Sequence, residues 1–198
     1  MSQRGAPRGA GGAPNILLGV ARLARGRADG LAAFGNTSQA FLASLAPLIA
    51  FPLVGGGLVL ANGGGLPAIS DLLATFCALL APPVLSWSLA RHWQREALWP
   101  RFATAFNWCQ WAIPAIASVL LLVSGGLITA GMPNSIAGVG VVVGMVGYAL
   151  WLHWFLARRA LELSAARAAL FVACVNLATA AIVVGPQLVM TLVSPDRG

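Results

Sequence analysis

Residues 101–124 read RFATAFNWCQWAIPAIASVLLLVS, and this stretch decides the fold class of the protein. One Arg is followed by 23 residues that carry no charge. A helix needs about 20 mainly apolar residues to cross the roughly 30 Å of hydrocarbon in a bilayer. The sequence therefore predicts a transmembrane helix over residues 102–124.

The rest of the chain has the same character. Of its 198 residues, 59% are hydrophobic and 9% are charged, whereas about a quarter of the residues of a soluble domain carry charge. We predict an all-α polytopic membrane protein with five transmembrane helices. The predicted spans are residues 38–61, 68–89, 102–124, 136–157 and 166–193.

The predicted spans form a single membrane domain over residues 31–198. Residues 1–14 are rich in Gly, Ala, Pro and Arg, and we expect a disordered tail there. Residues 15–30 combine apolar residues with Arg22, Arg25 and Arg27, a pattern typical of an amphipathic helix that lies in the membrane interface.

The distribution of charge predicts the orientation of the spans. All twelve basic residues are Arg, and eleven of them fall in the amino-terminal segment and in the loops after the second and fourth spans. Cytoplasmic segments carry an excess of Lys and Arg. We therefore expect a cytoplasmic amino terminus and a carboxyl terminus on the opposite side of the membrane.

The same distribution indicates the kind of partner. Arg clusters that follow the loops of a membrane protein are explained by topology and by attraction to anionic lipid, so we expect the lipid bilayer and no nucleic acid as partner. Seven Arg residues are the candidate contacts for lipid headgroups: Arg22, Arg25, Arg27, Arg91, Arg95, Arg158 and Arg159.

Polar residues recur at helical spacing on one face of the third span, and the second and fifth spans carry similar seams. An amide that faces hydrocarbon loses its hydrogen bonds to water, so we expect these faces to turn toward other helices. Two interpretations stay open for Asn107, Gln110 and Asn176: hydrogen bonds between helices, or a polar pocket open to the cytoplasm. The fourth span instead carries Gly140 and Gly144, a step that permits close helix packing.

The chain lacks the residue pairs that an intramembrane enzyme needs. The spans contain a single acidic residue, Asp71, which we expect in the first turn of the second span, where the helix dipole favours a carboxylate. Glu162 follows Arg158 and Arg159 at a spacing that predicts a local ion pair. Neither the His nor the Cys residues have the sequence spacing that is typical of metal ligands. We predict no enzyme activity, no cofactor and no metal site; the role of His153 stays open.

Residues 101–108, RFATAFNW, resemble the signature R-F-I-V-A-[WY]-N-W of a group of small proteobacterial inner-membrane proteins. Residues 151–158, WLHWFLAR, look like that group's Y-x-W-F-V-A-R segment, and residues 30–41 look like the region before its first span. The group is loosely similar to the Yip-domain superfamily, whose eukaryotic members act in vesicle trafficking through partner proteins. The resemblance implies a five-span fold in the bacterial cytoplasmic (inner) membrane, so that the carboxyl terminus is expected in the periplasm, and it implies no particular activity.

Two functions are compatible with these features. The first is a non-enzymatic membrane protein that acts through interactions with anionic lipid, with another membrane protein or with a second copy of itself. The alternative is a small-solute or lipid transporter that uses the polar seams of the second, third and fifth spans. A transporter is expected to have ionisable groups near the midplane, and the spans have none there, which favours the first function.

Overall fold

The computed structural model describes the backbone of residues 15–193 and the side chains of residues 15–185. Within that range the chain is helical and contains no β-strand, which confirms the all-α prediction. The helices are α1 (Ile16–Leu23), α2 (Ser38–Ala61), α3 (Gly65–His92), α4 (Trp99–Cys109), α5 (Ala112–Thr129), α6 (Asn134–Ala160) and α7 (Ala165–Val193), and a short 3₁₀ helix covers Ala28–Ala33. Residues 1–14, the predicted disordered tail, lie outside the described residues. So does the side chain of Gln187, which belongs to the polar seam of the fifth span.

Five segments are long and apolar enough to cross a membrane, as predicted. They are α2, α3, the combined segment Trp99–Thr129 of α4 and α5, α6 and α7. The first span has the predicted bounds, and the others extend by one to five residues at their ends.

The position of Asp71 in its helix differs from the prediction. Because α3 begins at Gly65, its first turn contains no acidic residue and Asp71 lies in the second turn, beyond the part of the helix where the dipole acts strongly.

The third span is broken near its centre, where the sequence predicted one continuous helix. Pro114 has no N–H, and its ring displaces the carbonyl four residues earlier, which belongs to Gln110. The Trp111 N–H donates to the Trp108 carbonyl at 3.3 Å, three residues back instead of four. The Ile113 N–H donates to the Gln110 carbonyl at the same distance. The break separates α4, which contains Arg101, Thr104 and Asn107, from the more apolar α5.

The helices form an open ring with α4 at its centre. α3 packs against α2 and α7, and α6 packs against α7 and α5. α4 fills the middle and contacts α2 and α6. α2 and α5 form no extensive contact with each other, so the ring is open between them.

Buried side chains are concentrated at one end of the ring. They belong to α4, to the carboxyl-terminal part of α6 and to the amino-terminal part of α7, and include Phe102, Leu156 and Phe171. α5 instead exposes Leu121 and Leu122, at 60% and 78% of their surface. Its 18 residues span about 27 Å at 1.5 Å per residue, close to the thickness of the hydrocarbon layer. The exposed apolar part of the bundle therefore matches a lipid-facing surface.

α3 ends in a Schellman motif built on a residue other than glycine. The Arg95 N–H donates to the Ala90 carbonyl at 2.7 Å, and the Gln94 N–H donates to the Arg91 carbonyl at 3.0 Å. Gln94 is exposed and has φ of 56°, in the left-handed region that favours glycine at this position. The motif stops the helix at the cost of a strained backbone at Gln94.

Replacing Gln94 with glycine is expected to raise the free energy of unfolding by about 1 kcal/mol, because glycine adopts this conformation without a Cβ penalty. Thermal unfolding of the purified protein in detergent measures the change. Gln94→Ala is the matched control, since it removes the same side chain and keeps the strain. Equal stability of the two variants would contradict the assignment of strain to Gln94.

Candidate functional site

The three Arg-bearing segments meet at one end of the bundle. The Arg95 Nη1 lies 3.5 Å from the Glu162 Oε2, which joins the loop after α3 to the loop after α6. The amino-terminal segment joins them through Asn36, which bonds to the loop before α4. We call this end the arginine end; the Arg residues in its segments are Arg22, Arg25, Arg27, Arg91, Arg95, Arg101, Arg158, Arg159 and Arg167.

The partner of Glu162 differs from the prediction. The sequence predicted a local pair with Arg158 or Arg159, and the structure pairs Glu162 with Arg95. The physical reason is that α6 ends at Ala160 and Glu162 has φ of 53°. A pair at helical spacing needs a continuous helix between its members, and the left-handed turn turns the carboxylate toward the other loop.

Asn36 holds the start of α4 in place. Its Nδ2 donates to the Ala97 carbonyl at 3.0 Å, and its Oδ1 accepts from the Arg101 N–H at 3.0 Å. One side-chain amide thus satisfies a donor and an acceptor of the backbone that precedes and opens α4. Asn36 lies more than 60 positions from these partners in the sequence, so no local pattern points to it.

Asn107 connects α4 to α2. Its Nδ2 donates to the Ser44 Oγ at 2.9 Å, and the Ser44 hydroxyl donates to the Phe41 carbonyl at 2.6 Å. Both side chains are almost fully buried, at 2% and 1% exposure. This is the arrangement that hydrogen bonding between helices predicts for Asn107. No sequence pattern marks Ser44 as the hydrogen-bond partner of Asn107.

Gln110 and Asn176 do not join this pair in a common hydrogen-bonded group. The Asn176 Nδ2 donates to the Val172 carbonyl of its own helix at 2.8 Å. Gln110 is half-buried at the break between α4 and α5. Asn107 also lines an enclosed cavity of about 10 Å³ beside Ser86, to which neither of the other two amides contributes. A cavity of this size holds about one water molecule and no larger solute.

The indole of Trp99 lies in a second polar contact at the arginine end. Its Nε1–H donates to the Ser86 Oγ of α3 at 3.0 Å, and its ring packs against Phe41 at 4.9 Å and against Trp87 at 5.0 Å between centroids. Trp99 therefore joins α2, α3 and the start of α4. A buried indole N–H is normally hydrogen-bonded, and Ser86 satisfies it here.

The segment 15–34 lies across the arginine end. The predicted helix over residues 15–30 is shorter in the structure, because α1 ends at Leu23 and Gly26 has φ of 75°. A Cβ on Gly30 would lie 2.7 Å from the carbonyl oxygen of Gly19, so the 3₁₀ helix packs directly on the backbone of α1. Leu23 is fully buried in the main hydrophobic cluster. α1 is therefore docked on the bundle.

α1 extends from α2 to α6. Near its start, Leu17 and Val20 lie beside residues of α2. At its end the Tyr148 hydroxyl of α6 donates to the Ala24 carbonyl at 3.0 Å. The helix therefore lies over α4, between α2 and α6.

The charges of this segment are only partly compensated. The Asp29 Oδ2 lies 2.8 Å from Arg27 and 3.6 Å from Arg22. The hydrogen bond from Arg27 lowers the pKa of Asp29 below its ordinary value, and both guanidinium charges add to the effect. Arg25 is exposed and forms no salt bridge with a carboxylate in the described part of the chain. Three Arg and one Asp leave residues 15–34 with a net charge of +2.

An apolar groove lies between α1, α2 and the break in the third span. It has a volume of about 370 Å³ and exposes no polar surface. Phe51 of α2 and Trp111 at the break approach edge to face at 5.1 Å between centroids. We call this the α1–α2 groove; its lining residues are Leu17, Val20, Pro47, Phe51, Trp108 and Trp111.

Two other features of the fourth span have defined surroundings. The ring of His153 packs on Phe106 of α4 at 4.7 Å between centroids, and both of its nitrogens are buried without a hydrogen-bond partner in the described residues. Gly144 packs against Leu120 of α5, where a Cβ would lie 3.2 Å from a methyl group. Gly140 and Gly147 face open space. The glycine step thus serves packing within the chain at Gly144.

Within residues 15–193 no group of three His, Cys, Asp or Glu residues could hold a metal ion. Cys109 is buried, whereas Cys77 and Cys174 are exposed on their helices. Comparison of the chain with protein-family models, with curated proteins and with solved structures finds no match. The functional inference therefore rests on the geometry of the arginine end.

Replacing Asn107 with alanine is expected to lower the stability by about 1–3 kcal/mol, because the buried Ser44 hydroxyl loses its donor and a small void is left. A double-mutant cycle with Ser44→Ala isolates the pair, and we expect a coupling of about 0.6–1.7 kcal/mol. Unfolding in detergent provides the measurement. Ser118→Ala is the control, since that exposed hydroxyl bonds to its own helix. A coupling near zero would contradict a hydrogen bond between α2 and α4.

Proposed function

We propose that the protein is a non-enzymatic, multi-pass protein of the bacterial cytoplasmic membrane that acts through interactions, with the arginine end in the cytoplasm. The observation that carries this proposal is the convergence of three separate Arg clusters on one end of a five-span bundle. Cytoplasmic segments of membrane proteins carry the excess of Arg and Lys. The cytoplasmic leaflet is also rich in anionic lipid, which attracts clustered guanidinium groups.

The proposed depth of the bundle follows from its aromatic residues. Trp108 and Trp111 flank the break between α4 and α5, and Trp151 of α6 packs beside Gly26 at the end of α1. Trp residues are enriched at the boundary between headgroups and hydrocarbon. A boundary near this level places α1 among the headgroups, where an amphipathic helix lies in the membrane interface.

The partners in this proposal are anionic lipid together with another membrane protein or a second copy of the chain. The apolar part of the bundle offers small, uncovered positions, among them Gly140 and Gly147, where a neighbouring helix can approach closely. The resemblance of residues 101–108 to a Yip-like group stays a prediction, and it adds the expectation of action through partner proteins.

Transport of a small solute or lipid is the alternative function. The observation that favours it is a cavity of about 280 Å³ between α2 and α3, lined by Asp71 and Thr75. This cavity lies toward the ends of α2 and α3 that are far from the arginine end, whereas Asn107 is buried near that end. We favour interaction because the polar residues form two separate groups. Altered solute accumulation in a deletion strain, without any recovered partner, would reverse this preference.

The proposed orientation predicts the location of a reporter fused after Gly198. A reporter that is active in the periplasm is expected to be active, and one that is active in the cytoplasm is expected to be silent. Fusion of the same two reporters after Glu162, in the loop between α6 and α7, provides the matched control with the opposite expectation. Activity of the cytoplasmic reporter after Gly198 would contradict the orientation.

Lipid preference tests the role of the arginine end. Dioleoyl phosphatidylglycerol is expected to bind the purified protein more tightly than dioleoyl phosphatidylcholine, measured by titration in detergent with native mass spectrometry. The exposed residues Arg91 and Arg159 are each expected to contribute about 1 kcal/mol, a loss of about fivefold when replaced by Gln. Asp71→Asn changes the net charge far from the arginine end and is expected to leave the affinity unchanged. Equal binding of the two lipids would refute the lipid interaction.

A further inference from the structure

We propose that the α1–α2 groove binds one acyl chain of an anionic phospholipid, whose phosphate is bound at Arg25. The inference rests on the proposed function, because it requires the arginine end to face an anionic leaflet. It goes beyond that function by assigning a defined lipid site between α1, α2 and the break in the third span.

The composition of the groove selects its occupant. All of its lining surface is apolar, and its volume is about 370 Å³. An ordered water needs two to four polar partners, which these walls do not supply. A polar solute would lose its hydrogen bonds there for the same reason. A hydrocarbon chain is the ligand whose surface matches.

The shape of the groove explains why it binds a chain and not merely bulk lipid. Lipid tails are as apolar as the side chains, so burial alone gives little preference in a membrane. A rigid concave site instead gains dispersion contacts from several sides. Here Phe51 and Trp111 form an aromatic wall, and Val20 closes the groove from the α1 side. The groove is open at the surface of the bundle, where Leu17 and Phe51 are exposed, and this gives the chain lateral access.

The charges beside the groove select the headgroup. Arg25 lies in the turn that follows α1, two residues after Leu23, in the same segment as Leu17 and Val20 of the groove wall. Arg22 and Arg27 are engaged by Asp29, whereas Arg25 is exposed and forms no salt bridge with a carboxylate in the described residues. The hydrogen bond from Tyr148 to Ala24 fixes the backbone next to Arg25. An uncompensated guanidinium at headgroup depth is complementary to a phosphodiester.

Native mass spectrometry of the full chain in detergent, titrated with dioleoyl phosphatidylglycerol or dioleoyl phosphatidylcholine, tests the site. Val20→Trp fills the groove and is expected to weaken binding of both lipids at least tenfold. Arg25→Gln is expected to weaken the phosphatidylglycerol complex about fivefold and to leave the phosphatidylcholine complex unchanged. Leu53→Trp is the matched control, because Leu53 is 50% exposed on α2 and does not line the groove.

A second groove variant guards against misfolding. Leu17 is 78% exposed, so Leu17→Gln removes little packing and is expected to weaken both lipids at least threefold while thermal unfolding stays unchanged. If Leu17→Gln and a folded Val20→Trp both bind like the original chain while Arg25→Gln weakens binding, the groove is wrong and the lipid interaction stands. If the two lipids bind equally and no variant matters, the proposed function fails as well. A dimer that only the groove variants dissociate would identify a second copy as occupant and overturn the proposal.

Discussion

The peptide backbone finds no hydrogen-bonding partner in hydrocarbon, and the break at Gln110 and Trp111 shows how this constraint organises the protein. Pro114 has no N–H to donate there and its ring displaces the Gln110 carbonyl, and hydrogen bonds between residues three positions apart, to the Trp108 and Gln110 carbonyls, replace part of the lost bonding. Such a defect is tolerated where protein or headgroups surround it. The break therefore divides the third span into α5, whose exposed apolar side chains face lipid, and α4, whose buried face must be covered by protein.

The other elements of the arginine end follow from the need to cover α4. Its buried face contains Ala103 and Ala105, which allow neighbouring helices to approach, and Asn107, which needs a partner. α2 supplies that partner through Ser44, while Asn36 satisfies the backbone at the start of the helix. α1 then lies over α4, between α2 and α6. The largest buried cluster of the protein is the result, and it lies beside the Arg clusters.

Hydropathy and charge are local signals. Hydropathy was enough to predict the five spans, and the positions of the Arg residues were enough to assign the Arg-rich segments to alternate loops. The features missed by the sequence analysis join distant residues or depend on local backbone geometry. Asn107 and Ser44 are 63 positions apart, and no periodicity marks a serine as the partner of a given amide. Glu162 forms its salt bridge with Arg95 because its own backbone adopts a left-handed turn, and no glycine marks that turn in the sequence. The break was likewise not predicted, because whether a proline interrupts a transmembrane helix depends on the residues that pack around it in the fold.

The way α1 is held bears on the proposed lipid site. Three constraints act on this helix of 8 residues: the contact of Gly30 with the Gly19 backbone, the burial of Leu23 and the bond from Tyr148 to Ala24. An isolated helix of this length would not be stable in water, and binding a lipid on it would carry the cost of ordering it. Because α1 docks on the bundle during folding, it is already ordered when a lipid binds. The wall formed by Val20 is therefore in place before a ligand arrives, and such preorganisation increases affinity without any additional contact.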